Sequence, residues 1–284
     1  MSDTTVGLIG LGILGRPVAE ELLAAGVDLV VHDVRPEVLE GLAALGATIV
    51  SSAAEVGERC DVVCVLVQTA DQCRSVVAEV VGVASQGATV AVMATVTPEV
   101  VHELAAVAAA AGVDLVDAPL AGQGVDSVRG HSMWILAGGD AEVVERLRPV
   151  ADGFAGRLVH AGPLGAGATV KLAHNVMVYL GYQSALEAVE LARAAGVADG
   201  LVKEVTLASG TLSSQSEVWL DIYERRRVEP GDEVEQATFG TYAALLDKDL
   251  RHALELADGL GLDLPGARAM SGRGAATYAV VEER

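Results

Sequence analysis

A chain of 284 residues with a formal net charge of −20 has room for two domains that each bury a core. Its acidic surface repels nucleic acid and anionic lipid, which excludes those partners and points to a soluble protein. Apolar residues make up 51% of the chain and aromatics only 3%, so the core is built from Ala, Val, Leu and Ile, as suits buried parallel strands and closely packed helices.

Polar Ser2-Asp3-Thr4-Thr5 lead into an apolar strand at Val6 without the basic and apolar segments of an export signal, so a cytoplasmic protein is expected. Strands are predicted at Val6–Gly10, Asp28–His32, Ala47–Val50, Asp61–Val67, Thr89–Met93 and Asp114–Asp117. Between them lie amphipathic helices at Leu14–Ala25, Pro36–Ala44, Ala70–Val81 and Pro98–Ala111, the rhythm of βα units on a mostly parallel sheet. The uncharged run Val80–Pro98 is broken by Ser85, Gln86, Gly87 and Thr89, so it reads as a helix end, a turn and a buried strand, not a membrane span. Strands at His131–Ala137 and Arg157–His160 flank a helix opened by Asp140. After Gly162-Pro163-Leu164-Gly165-Ala166-Gly167 the chain runs to Gly196 with Gly181 as its only Gly or Pro, a long helix, and a domain boundary is placed near residue 163. The remainder is all-helical: Asp199–Ser209, Ser216–Arg226, Thr241–Gly259 and Pro265–Val281, with a charged loop from Arg227 to Glu235. Cys60, Cys64 and Cys73 have no metal-ligand spacing with any of the six histidines, so they read as reduced, buried thiols and no metal site is expected.

Gly10-Leu11-Gly12-Ile13-Leu14-Gly15 follows a predicted strand and opens a predicted helix. In that setting Gly10 permits the tight turn, Gly12 lets the backbone approach a pyrophosphate, Gly15 lets helix pack on strand, and the helix N-terminus stabilises the phosphate charge. Asp33 ends the second strand, where a carboxylate accepts hydrogen bonds from adenosine ribose hydroxyls and favours NAD. Arg35, beyond Val34, is either a solvated helix-start residue or a partner for the 2′-phosphate of NADP. Val67, Gln68 and Thr95, at the ends of the fourth and fifth strands, border the same ligand, although Thr95 also reads as a helix-entry hydroxyl ahead of Pro98.

Lysine occurs at only three positions, Lys171, Lys203 and Lys248, among 19 basic residues. Where a plain cation suffices the chain uses Arg, so a retained Lys suggests a need for an amine that can lose its proton once desolvated. Lys203 has no such company and reads as a solvated helix residue. Lys171 and Asn175 project from one helix face, and Gly167 a turn earlier leaves room for something to approach. An amine and a carboxamide so placed can hold a hydroxyl or carbonyl oxygen, with Lys171 taking or giving the proton as hydride moves. Desolvation between two domains would bring the pKa of Lys171 into a useful range. A surface Lys beside an unrelated Asn is the alternative, and adjacent His174 reads as structural.

With these motifs in order the chain resembles the β-hydroxyacid dehydrogenases, the family of 3-hydroxyisobutyrate dehydrogenase and tartronate semialdehyde reductase within the 6-phosphogluconate dehydrogenase superfamily. The likeness runs end to end through Gly10–Gly15, Asp117-Ala118-Pro119-Leu120-Ala121-Gly122-Gln123 to Gly130, Gly167 to Asn175, and Lys248-Asp249-Leu250. It implies an α/β fold, with a Rossmann doubly wound NAD(P)-binding domain over 1–163 and an all-helical substrate and dimerisation domain over 164–284, entered by the long helix. It also implies Lys171 as general acid and base, Asn175 as orienter of the substrate oxygen, and Lys248 at the cofactor–substrate junction, held by Asp249. Backbone amides around Gly122 would receive a substrate carboxylate, and a homodimer or homotetramer would form through the long helix.

The departures concern the substrate. Ala121 stands where the family has a serine, Gln123 replaces its second glycine, and Ala94 replaces a serine before Thr95. A direct hydroxyl contact to the carboxylate is thereby lost, and Gln123 either restores one through its carboxamide or narrows the pocket. Phe239, ahead of Lys248, is a candidate pocket wall; Trp219 is read as a core anchor, and Arg225-Arg226-Arg227 among Glu224, Glu229 and Asp232 as a solvated ion-pair surface. Two other functions compete with the dehydrogenase reading. An imine reductase of the same superfamily would usually lack the lysine and carry an NADP-type strand end, and a non-catalytic nucleotide-binding scaffold would usually have lost the lysine.

Overall fold

Short runs of Val, Leu, Ile and Cys alternate their side chains to opposite faces of a strand, and this alternation builds two hydrophobic layers around one sheet. The protein is represented by a computed structural model that describes residues 4–280; Ser2, Asp3 and Val281, included in the sequence reading, lie outside the described residues. The order is β1 (Val6–Ile9), α1 (Gly15–Ala24), β2 (Leu29–His32), β3 (Thr48–Ile49), α2 (Ala53–Arg59), β4 (Val62–Val65), α3 (Ala70–Val81), β5 (Thr89–Val92), α4 (Pro98–Ala110) and β6 (Asp114–Asp117). There follow β7 (Leu120–Ala121), α5 (Val125–Arg129), β8 (Met133–Gly138), α6 (Ala141–Glu145), α7 (Arg148–Phe154) and β9 (Ala155–Gly162). The rest is helical: α8 (Ala166–Ala194), α9 (Leu201–Ala208), α10 (Ser214–Val228), α11 (Glu233–Gly259), α12 (Pro265–Met270) and α13 (Gly274–Thr277).

The strands form one sheet in the order β3-β2-β1-β4-β5-β6-β8-β7, with β9 beside β8. β1 to β6 pair in parallel, β8 runs antiparallel to β6 and β7, and β9 lies parallel to β8. Val6, Leu8, Val31, Val62, Cys64 and Ala91 enter one buried layer, and Ile9, Val30, Val63, Val65, Val90 and Val92 the other. The strand order reverses between β1 and β4, so the carboxyl ends of those strands open onto a switch point of the kind that receives nucleotides in doubly wound sheets. The three cysteines are buried and unbridged.

The chain divides into two compact units, Met1–Lys171 and Leu172–Arg284, with the division inside α8. In the second unit Tyr179, Tyr182, Trp219, Leu220, Leu246 and Leu250 form the core. Trp219 is 3% exposed and stacks on Tyr182 with ring centroids 4.8 Å apart, a core anchor as read from the sequence. Among the described residues, no helix is long and apolar enough to cross a membrane.

Several expectations are corrected. The helix predicted at Pro36–Ala44 is two 3-10 turns, Pro36–Leu39 and Ala43–Leu45, because Gly41 between them takes φ +81°. The helix opened by Asp140 is two helices; Asp140 caps α6 by accepting from the Glu142 amide, and Pro149 suits the first turn of α7 but not a continuous helix. α11 begins at Glu233, not Thr241, because Asp232 accepts from the Glu235 amide at 2.9 Å as an N-cap. The predicted Pro265–Val281 helix divides into α12 and α13 around Gly272, at φ +81°.

Lys203 is not simply solvated, since it forms ion pairs with Asp221 and Glu217 of α10. Arg226 departs furthest from the solvated surface expected of the arginine triplet. It is 1% exposed and donates to the carbonyls of Tyr278, Pro230 and Ala279 and to Gln236 Oε1. Its guanidinium also lies 4.1 Å from the Phe239 ring centroid. A planar cation with several N–H donors can satisfy that many acceptors at once.

Candidate active site

The glycine turn after β1 is shaped by its own backbone. Gly10 has φ +98°, and a Cβ there would stand 2.5 Å from the Leu66 carbonyl oxygen. One at Gly15 would meet the Gly10 carbonyl oxygen at 2.0 Å, so helix and strand pack too closely for any side chain. At Gly12 a Cβ would meet nothing nearer than Arg35 Nη2 at 3.8 Å, so this glycine keeps an approach open. Leu14 is the N-cap of α1 and supplies no side-chain cap, which suits first-turn amides directed at an anion. Ile13 is half-buried and Leu11 buried, and these positions together fit the pyrophosphate of a dinucleotide.

Asp33 links this turn to the end of β2. Its Oδ2 accepts from the Leu11 amide at 2.7 Å, and its Oδ1 from the Arg35 amide at 2.9 Å. Arg35 folds back onto the same carboxylate, Nε to Oδ1 at 3.1 Å and Nη2 to Oδ2 at 3.2 Å, and is at once solvent-exposed and ion-paired. Burial pushes the Asp33 carboxyl up, but the Arg35 guanidinium and the two amides outweigh it and hold the group below its ordinary value. Val34, between them, is 87% exposed. Val67 is half-buried against the core beyond β4, and Gln68 is exposed with its amide donating to Gln72 Oε1 at 3.0 Å in the capping box of α3. Thr95 lies half-buried beyond β5, two residues ahead of Thr97, the N-cap of α4. Gly10, Asp33, Val67 and Thr95 thus all follow the carboxyl ends of β1, β2, β4 and β5.

Arg35→Ala should separate two cofactor roles. Because Arg35 competes with ribose hydroxyls for Asp33 and is the nearby cation for a 2′-phosphate, its loss is expected to weaken NADPH binding by about tenfold or more. NADH binding should hold or tighten. Fluorescence titration of the variant with both nucleotides measures this, and equal weakening of the two would refute it.

In the segment after β6, Ala121 is buried in β7 opposite Trp134. A Cβ on Gly122 would stand 2.8 Å from Met133 Sδ and from Ser127 Cβ. Gln123 is exposed, and its amide donates to Ser127 Oγ at 2.7 Å. The expectation that the amides around Gly122 are open to a carboxylate is therefore corrected at Gln123, whose N–H already serves the fold. Gly167 is corrected likewise: a Cβ there would meet the Leu136 carbonyl oxygen at 2.0 Å and Asp117 Oδ2 at 2.8 Å, so the protein's own strand occupies the room it leaves. Asp117, 1% exposed, accepts from the Gly165 amide at 2.7 Å and the Ala168 amide at 2.6 Å and so fastens the start of α8.

Along α8, half-buried Lys171 and buried Asn175 share a face. Asn175 Nδ2 donates to Asp249 Oδ2 at 2.7 Å, and His174 Nδ1 lies 3.1 Å from Asn175 Oδ1. Asp249 therefore holds more than its neighbour in sequence. Lys248 Nζ stands 3.1 Å from Asp249 Oδ1 as an ion pair without hydrogen-bond alignment, while Oδ2 takes Asn175 and the Tyr179 hydroxyl, the latter at 3.1 Å. Phe239 is half-buried, packed on Arg226 and against Tyr242 and Tyr278. Sequence reasoning missed the joining of the last two signatures by Asp249; the continuation of the Lys171–Asn175 spacing to Tyr179 was the available signal.

A family model described as the NAD binding domain of 6-phosphogluconate dehydrogenase matches residues 5–162. A second, described as the NAD-binding domain of NADP-dependent 3-hydroxyisobutyrate dehydrogenase, matches residues 165–280. The chain belongs to the β-hydroxyacid dehydrogenase family. Within that family it is similar to 2-hydroxy-3-oxopropionate reductase of Escherichia coli (strain K12), with 31% identity over 92% of this chain and 86% of that protein. It is also similar to an uncharacterised oxidoreductase of Mycobacterium tuberculosis, 31% identical over 93% of this chain and 89% of that protein. Among solved structures, Mycobacterium tuberculosis 3-hydroxyisobutyrate dehydrogenase with L-serine superposes with a TM-score of 0.82 at 25% identity, covering 98% of this chain and 96% of that one. Like other members of the β-hydroxyacid dehydrogenase family, the chain is an NAD(P)-dependent oxidoreductase.

Proposed function

We propose that the protein transfers hydride between a nicotinamide dinucleotide and a β-hydroxy acid or its semialdehyde, with Lys171 as the general acid and base. The observation that carries this reading is the retained pair Lys171 and Asn175 on one face of α8, with Asn175 fixed by the buried carboxylate of Asp249. NAD, or NADP, supplies the hydride acceptor or donor when bound at Gly10–Gly15, Asp33 and Arg35, with Val67, Gln68 and Thr95 at its border. In oxidation, unprotonated Lys171 takes the hydroxyl proton as the carbonyl forms; in reduction, its ammonium returns a proton to the alkoxide. A carboxamide nitrogen carries two hydrogens, and Asn175 gives one to Asp249 while directing the other at the substrate oxygen. Lys248 supplies positive charge where substrate and cofactor meet, Ala121 and Gly122 border the acid group, Gln123 reaches it through its side-chain carboxamide, and Phe239 helps to wall the pocket.

Residues 1–163 serve as the NAD(P)-binding domain and residues 164–284 as the substrate and dimerisation domain. The similar Mycobacterium tuberculosis dehydrogenase was solved with L-serine, a 3-hydroxy acid, which supports the same substrate class here. Lys171 and Asp33 argue against imine reduction and against a scaffold without catalysis. Met177 and Leu191 of α8, 78% and 73% exposed, support a homodimer or homotetramer formed through that helix.

The test is NAD and NADP reduction across a panel of 3-hydroxy acids differing in chain length and 2-substituent. Turnover of at least one acid is expected. Tight cofactor binding with no turnover of any acid or matching semialdehyde would favour the scaffold.

A further inference from the structure

Lys171, Asn175 and Tyr179 recur at the spacing that stacks side chains along one stripe of a helix. The first two carry the proposed chemistry, and the third is a buried phenol to which that chemistry gives no task. Tyr179 is 9% exposed, and its hydroxyl donates to Asp249 Oδ2 at 3.1 Å, the same oxygen that takes Asn175 Nδ2 at 2.7 Å. A carboxylate accepts but does not donate, so it admits only one of the two faces of a carboxamide. With Asp249 ionised, the Asn175 nitrogen faces Asp249 and its oxygen faces His174 Nδ1. In the opposite flip two oxygens would face each other. The Asn175 orientation therefore lasts only while the Asp249 carboxylate stays in place, and a second donor on Oδ2 helps to hold it there.

We infer that Tyr179 is a positioning residue for the reaction, whose hydroxyl holds Asp249 so that Asp249 in turn fixes the Asn175 carboxamide toward the substrate oxygen. This rests on the roles proposed above for Lys171 and Asn175. Burial, reinforced by the Asp249 charge, keeps the phenol well above its ordinary pKa, so it stays an O–H donor throughout the working range of the enzyme. The ring has a separate packing role, edge-on to Tyr182 with centroids 6.1 Å apart, and phenylalanine preserves it.

Tyr179→Phe isolates the hydroxyl. It is expected to lower kcat by about 3- to 30-fold through a less firmly held Asp249, with a much smaller change in KM for NAD and a Tm lowered by a few degrees, the loss of one hydrogen bond to a buried carboxylate. Combined with Asn175→Ala, the same substitution should cost almost nothing more, because its route to the reaction is already gone. Losses that multiply independently in the double variant would overturn the inference. If wild-type protein turns over none of the acids tested, it is the hydroxyacid reading that fails, and Tyr179 is then judged without turnover. The Asn175 side-chain amide pair, identified in nitrogen-15 NMR spectra by its disappearance in Asn175→Ala, should shift in Tyr179→Phe; an unmoved pair would refute the positioning role.

Discussion

Lys171→Ala should reduce kcat by about 10²- to 10⁴-fold, the usual contribution of a positioned general acid and base, while cofactor affinity and Tm stay near the wild-type values. Lys171 is half-buried within a continuous helix, and alanine is the best helix former, so the substitution keeps the backbone of α8 intact. Lys171→Arg should be almost as slow, since a guanidinium keeps the positive charge but does not give up its proton. That contrast distinguishes proton transfer from simple attraction of an anionic substrate, which arginine would supply. A small primary amine added to Lys171→Ala should restore part of the rate, with a dependence on pH that follows the amine's own ionisation. If Lys171→Arg retained most of the activity, or if Lys171→Ala lost cofactor binding in parallel with rate, the acid–base role would have to be abandoned.

The sequence revealed features that depend on local pattern. The positions of the strands followed from apolar runs separated by helical stretches, and the glycine turn was legible because Gly10, Gly12 and Gly15 sit between strand and helix. The start of α2 was equally available, since Ser52 caps it by accepting from the Glu55 amide, but this Ser-x-x-Glu signal went unused. What remained hidden depended on partners distant in the chain. Nothing near Arg226 distinguishes it from Arg225 and Arg227, and its burial is set by carbonyls at Pro230, Tyr278 and Ala279. Gly167 looked like space for a ligand because the group that fills that space, the Leu136 carbonyl of β8, is distant in the chain. Asp249 looked like a support for Lys248 because its contacts to Asn175 and Tyr179 cross from α11 to α8. In each case local spacing identified the residue and long-range contact decided its task.

Asp117→Ala should be the most destabilising of the substitutions considered, by about 2–5 kcal/mol, because it leaves two buried backbone N–H groups without an acceptor. In a unit of this size that corresponds to a fall in Tm of roughly 5–15 °C. Both carboxylate oxygens are engaged, Oδ1 with the Gly165 amide and Oδ2 with the Ala168 amide, and these are donors at the entrance of α8 that the helix itself does not satisfy. No rearrangement supplies a substitute easily. A Cβ on Gly138 would stand 2.5 Å from Asp117 Oδ1, and one on Gly167 2.8 Å from Oδ2, so the surrounding glycines leave space for this carboxylate and little else. Burial pushes the carboxyl above its ordinary value, and the two amides oppose that shift without cancelling it. Asp117→Asn keeps the shape but turns one acceptor into an N–H facing another N–H, and should recover little of the lost stability. Asp117→Glu is expected to fail for a steric reason, its extra methylene meeting the packed backbone of Gly138 and Gly167. Thermal unfolding of the three variants tests this directly, and a Tm for Asp117→Asn within a degree or two of wild type would show that the carboxylate does not anchor α8. Because Lys171 lies on the next turn of that helix, loosening its first turn should also lower kcat at temperatures where the variant remains folded.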